Sequence, residues 1–136
     1  MPNKKGFYFT EKTTKVEKLE RGIHKWFSRP DITDSDDLIV VQVDVESGSG
    51  HPFHIHPTMD EVIYILSGEA EQWIEKEKQI LKSGDAVFIP KKMVHATFNE
   101  SGKPLSFLAI LGPAADLEGS MVYVSEEEPW KSLKDI

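Results

Sequence analysis

The sequence predicts an all-β domain, folded as a sandwich or a barrel. Three observations point there. Short runs rich in β-branched and aromatic residues recur from Leu38 to Leu111. Glycine, proline and asparagine breaks separate them at close intervals. No stretch between them carries a helical pattern of a dozen residues.

The elements follow in chain order. Residues 1–20 are rich in Lys and Glu and read as a peripheral arm. His24–Arg29 (HKWFSR) reads as an early strand, and Pro30–Asp37 as a turn. Leu38–Val45 is the clearest strand, because Val41, Val43 and Val45 alternate with Gln42 and Asp44. Glu46–Gly50 breaks it. Further strand-like runs are Phe53–His56, Glu61–Leu66, Ala70–Glu75, Ala86–Ile89, His95–Phe98 and Leu105–Leu111. Pro57, Ser67-Gly68, the Lys82–Asp85 turn, Pro90 and residues 99–104 separate them. In the tail, Pro129-Trp130 can open a short helix or dock an aromatic ring. The expected organisation is an N-terminal arm, 1–22, and one domain, 23–136, with a C-terminal extension.

Bulk properties narrow the chemistry. The chain has 136 residues, enough for one buried core, and is 39% hydrophobic and 29% charged, as expected of a globular domain. Its net charge of −7 repels polyanions, so neither nucleic acid nor an anionic membrane is an expected partner. There is no cysteine, which excludes disulfides, thiolate metal sites and a cysteine nucleophile. The start has no apolar signal core, and no apolar run is long enough to span a bilayer; the cytoplasm is the expected location.

Four of the five histidines fall between residues 51 and 95. His54 and His56 stand two apart, and on a strand such positions face the same way. Glu61 opens the next strand and His95 a later one. Two imidazoles, a carboxylate and a third imidazole can thus close around one ion. A His-x-His pair alone is a common strand pattern; the complete spacing is far more specific. His51, three before His54, faces away on a regular strand and reads as a surface or supporting residue; His24 reads as structural or exposed. Ile63 and Ile65 share a face with Glu61, and Thr97 with His95. Met59 and Phe53 read as packing. The directions of Tyr64, Gln72 and Trp73 stay open.

Gly48–Gly68 (GSGHPFHIHPTMDEVIYILSG) resembles the first motif of the cupin superfamily, and Gly84–Asn99 (GDAVFIPKKMVHATFN) resembles the second. The resemblance implies a small single-domain cupin, a jelly-roll barrel or double-stranded β-helix, with a metal in its mouth. His54, His56, Glu61 and His95 match the ligand positions, Gly68 and Gly84 the turn glycines, and Pro90 and Asn99 the ends of the second motif. One position departs: Lys92 stands where the second motif commonly has glycine, which bears on the turn between Pro90 and His95.

Imidazoles with one carboxylate suit a divalent transition metal: iron, manganese, zinc, nickel, cobalt or copper. Four protein ligands leave an octahedral ion two open positions, unlike a closed structural zinc site. The family's activities are many, and fold does not choose among them. Arginine is absent after Arg29, which weighs against sugar phosphates and oxalate. The leading expectation is a metal-dependent dioxygenase or oxidoreductase acting on a small uncharged organic molecule. No acid or base is apparent beside the ligands, which keeps a non-catalytic binder or sensor open, as is a sugar isomerase or epimerase. A homodimer is expected, since Phe7, Tyr8, Phe9, Trp26 and Phe27 put a large aromatic load near the N-terminus.

Overall fold

A computed structural model describes residues 7–114 and 120–134. Eleven strands appear among them: β1 (Lys15–Leu19), β2 (Gly22–Ser28), β3 (Ile39–Val45), β4 (Ser49–Ile55), β5 (Asp60–Ser67), β6 (Glu69–Ile74), β7 (Glu77–Lys82), β8 (Ala86–Ile89), β9 (His95–Asn99), β10 (Leu105–Gly112) and β11 (Val122–Tyr123). Two one-turn helices join them, α1 (Pro30–Thr33) and α2 (Trp130–Leu133). The strands form two antiparallel sheets that face each other, ordered β1-β2-β3-β10-β5-β8 and β11-β4-β9-β6-β7. From β3 onward the chain repeatedly crosses from one sheet to the other, which is the jelly-roll arrangement. No described helix is long and apolar enough to cross a membrane.

Alternation builds the core. Ile39, Val41, Val43 and Val45 of β3 turn inward, opposite Leu105, Phe107, Ala109 and Leu111 of β10. Ile63 and Ile65 complete the inner face of the first sheet. Each Val, Leu, Ile or Phe side chain so removed from water contributes about 1.5–3 kcal/mol. A second cluster, Phe53, Trp73 and Ala96, lies on the other side of the five-stranded sheet, under Trp130 and Leu133 of α2. Trp130 stacks on Phe53 with ring centroids 5.6 Å apart. Trp73 therefore faces outward, Gln72 inward and Tyr64 to solvent.

Several elements differ from expectation. Pro30–Thr33 is a single helical turn inside the segment read as a turn, with Pro30 at its first position. The strand β7 lies in a stretch too polar to read as one: among its six residues only Leu81 is buried. It is an edge strand, where charge guards against further pairing. Within the expected arm, β1 pairs with β2 and is the other sheet's edge. Phe7 and Tyr8 are exposed, and Phe9 meets Phe27 edge-on at 6.3 Å. Residues 1–6, 115–119 and 135–136 lie outside the described residues.

Two turns govern how the motif strands meet. Gly68 has φ +86°, and a Cβ there would fall 2.4 Å from the backbone oxygen of Pro104, so only glycine fits. Lys92 has φ 71° and takes the left-handed conformation although it is not glycine. Its amide donates to the His56 carbonyl at 2.9 Å, which offsets part of the strain and ties the turn before His95 to the end of β4.

Candidate metal centre

Three strands bring four donors together. β4 and the residue after it carry His54 and His56, β9 opens with His95 directly opposite His54, and β5 of the facing sheet supplies Glu61. All four side chains are buried, and one ligand atom from each lies within 4.8 Å of the others. The ring centroids of His54 and His95 are 4.1 Å apart, and those of His56 and His95 5.2 Å. The Glu61 Oε1 lies 3.2 Å from the Nε2 of His56 and 3.1 Å from that of His95.

Backbone carbonyls fix the rings. The Nδ1 of His54 meets the Pro52 carbonyl at 2.7 Å, that of His56 the Ser120 carbonyl at 2.7 Å, and that of His95 the Met93 carbonyl at 3.0 Å. A carbonyl only accepts, so each Nδ1 carries a proton, and Nε2 is the ring atom left to offer a lone pair to a metal when the imidazole is neutral. This is the supporting contact that a metal-ligating histidine uses. The Ser120 contact could not be read from sequence, since it joins residues 64 apart.

The donors fit a metal on an observation independent of spacing. Glu61 Oε1 and His95 Nε2 are buried, lie close together, and form no well-directed hydrogen bond. Buried polar atoms left so normally cost about 1–3 kcal/mol each, and a shared cation would satisfy both. Electrostatics agree. Burial alone would raise the Glu61 pKa, but the imidazoles of His56 and His95 outweigh it and hold the carboxyl at about 2. Burial, reinforced by His95, pushes His54 down to about 3 despite the Pro52 carbonyl. Burial also lowers His56, but Glu61 outweighs it and the net direction is upward. The centre thus holds one carboxylate and at least one neutral imidazole at neutral pH.

The donors sit at the end of a cavity of about 140 Å³ between the sheets. Its walls are mostly apolar, with Val41, Val43, Ile63, Phe107 and Leu111 among them, and no Lys or Arg among the described residues lines it. Thr97 lines it too and donates to Gln72 Oε1 at 2.6 Å. A larger depression, about 820 Å³, lies at the strand ends around Gly22, Val45 and Pro104, but no cluster of metal donors among the described residues faces it.

Two histidines that sequence spacing leaves outside the site line this cavity. The β4–β9 register shifts between His51 and His54, so β4 is not regular there and His51 does not face away. Its ring packs 6.0 Å from Phe107, 6.5 Å from His54 and 5.9 Å from His24. Burial, followed by the neighbouring His24, brings the His51 pKa down to about 4. His24 and Trp26 reach the cavity from β2, two residues apart on one strand face. Burial lowers His24 as well, against the pull of Glu17.

The geometry brings three histidines and one glutamate together in a jelly-roll barrel, and comparison with known proteins agrees on the fold. The Cupin domain family matches residues 41–111, and the chain belongs to the cupin family. The pectin degradation protein KdgF of Dickeya dadantii (strain 3937) is 38% identical over 99 residues, 72% of this chain and 86% of that protein. The dimethylsulfoniopropionate lyase DddQ of Ruegeria pomeroyi is 37% identical over 94 residues, 68% of this chain; the match spans 45% of that protein's length. The structure of KdgF from Halomonas sp. superimposes with a TM-score of 0.68 at 22% identity, over 78% of this chain and 94% of that one.

Proposed function

We propose that this cupin is a metal-dependent enzyme acting on a small, oxygen-bearing organic molecule by non-oxidative chemistry of the lyase or isomerase class. The observation that carries the reading is the convergence of His54, His56, Glu61 and His95 at the end of a small apolar cavity that also holds two further imidazoles, His51 and His24. A divalent transition metal held by the four donors supplies Lewis-acid polarisation of a substrate oxygen. The chain supplies the rest. The carbonyls of Pro52, Ser120 and Met93 orient the three ligand rings, and Val43, Phe107 and their neighbours exclude water. His51 and His24 are placed to hold and pass a proton within the cavity. With no Lys or Arg among the described lining residues, the substrate is neutral or carries one negative charge that meets the metal.

The two named relatives lend support. One is called a pectin degradation protein and the other a lyase, and neither name denotes an oxidase. The dioxygenase expected from sequence is the second reading, favoured by the suitability of three imidazoles and a carboxylate for iron. The binder or sensor loses its main argument, because His51 and His24 supply proton carriers beside the ligands. The proposed assembly is a homodimer, supported by the exposed Phe7 and Tyr8 at the outer end of the chain.

The test is to load chelator-treated protein with manganese, iron, cobalt, nickel or zinc. Pectin-derived fragments and short oxo-acids are then followed by NMR beside an oxygen electrode. Metal-dependent conversion without oxygen uptake is expected. Oxygen uptake matching conversion would establish the oxidative reading instead, and equal conversion by chelated protein would remove the metal from the mechanism.

A further inference from the structure

The cavity has a second polar end that the metal does not explain. His24 and Trp26 stand two apart on β2, so both rings turn to the cavity, with centroids 5.7 Å apart. The Nε2 of His24 and the Nε1 of Trp26 are buried, and neither forms a hydrogen bond among the described residues. The indole is held in place. The Arg29 guanidinium lies over its ring, 4.4 Å from the centroid, and is itself fixed by Asp31 at 2.6 and 2.9 Å and by Glu17 at 3.3 Å. Arg29 is thus engaged in orienting Trp26 and is neutralised by two carboxylates.

We infer that His24 and Trp26 form an anchoring site for a neutral oxygen of the ligand, a carbonyl or hydroxyl, while the ligand's other end reaches the metal centre; the metal end rests on the function proposed above. The chemistry follows from the donor inventory. An indole N–H can only donate, so its missing partner is an acceptor. The imidazole Nε2 adjusts, donating to a carbonyl or accepting from a hydroxyl according to its tautomer. A carboxylate is disfavoured at this end, because among the described residues no Lys or Arg lines the cavity to offset its desolvation. Between the two ends lie Val41, Val43 and Phe107, with His51 at the side, 5.9 Å from His24 and 6.5 Å from His54 by ring centroids. The ligand class is therefore a short chain with a metal-binding oxygen at one end, apolar carbons in the middle and a carbonyl or hydroxyl at the other, such as an oxo-acid or hydroxy-acid.

The test uses the full-length, zinc-loaded protein and three pairs of acids: 3-oxobutanoate with butanoate, 4-oxopentanoate with pentanoate, and 5-oxohexanoate with hexanoate. Each pair differs only in a carbonyl replacing a methylene, and the series spans the unknown distance. At least one oxo-acid is expected to bind about five- to tenfold more tightly than its partner, the range one added hydrogen bond gives. The Trp26 indole resonance in a ¹⁵N-correlated spectrum is expected to move downfield with it. Trp26→Phe keeps the ring and removes the N–H; it should abolish the preference while zinc content stays the same. The inference is overturned if no oxo-acid is preferred, if the preference survives in Trp26→Phe, or if the indole resonance stays still in the wild-type protein. The last readout needs no variant to fold. Failure to retain zinc would overturn the metal reading instead. The indole resonance is then followed with the oxo-acids on metal-free protein, and an unmoved signal there overturns the anchor.

Discussion

Acidifying the metal-free protein should cost stability through His51, an imidazole that neither coordinates nor reaches solvent freely. Its pKa is about 4 in the fold against an unfolded value of 6.5, because burial and the nearby His24 disfavour the charged form. The native state then binds fewer protons than the unfolded chain between those values, so stability is complete above pH 6.5 and falls as the pH drops toward 4. At pH 5 the deficit is about 1.5 pH units at 1.36 kcal/mol each, or roughly 2 kcal/mol. His54, lowered by burial and His95, acts in the same direction, whereas His56, raised on balance by Glu61, acts against it. Comparison with His51→Leu isolates the His51 part. Urea unfolding with a chelator present, at pH 7.5 and pH 5, should show the wild type losing about 2 kcal/mol more than the variant. Equal losses in the two proteins would refute the buried, neutral His51.

Three more outcomes follow. Glu61→Gln keeps an oxygen donor but removes the charge, so metal should be released at lower chelator concentration while the far-ultraviolet β spectrum persists; loss of that spectrum with metal added would make Glu61 a structural residue. A divalent metal at 100 times its dissociation constant should raise the unfolding free energy by about 2.7 kcal/mol, and the gain should vanish in the His54→Ala/His56→Ala double variant. Light scattering should give a dimer mass, and removing residues 1–14, which leaves β1 in place, should give a monomer with its metal; a monomer mass for the intact chain would end the dimer proposal.

Strong period-two runs are legible in the sequence itself: β3, β5 and β10 combine β-branched or aromatic residues with one face buried, and alternation reveals such strands. The four donors are legible because three strands hold them at characteristic spacings. The polar edge strands β1 and β7 carry too little apolar alternation to announce themselves, and β11 is only two residues long. His51 escapes the pattern because its direction depends on a register shift between His51 and His54, and an irregular register leaves no periodic trace. His24 and Trp26 are visible as residues of a strand, but their place in the cavity depends on β2 pairing with β3, a long-range fact that local pattern does not contain. The Ser120 carbonyl is hidden for a different reason: every residue has one, so no side-chain signal marks it.

The proposed chemistry rests on His54, His56, Glu61 and His95 holding one transition metal. Elemental analysis of protein purified without added metal, compared with the His54→Ala/His56→Ala double variant, tests it directly. Close to one transition-metal ion per chain is expected in the wild type and almost none in a folded double variant. Full occupancy in the double variant, or none in a wild type offered every candidate ion, would contradict it.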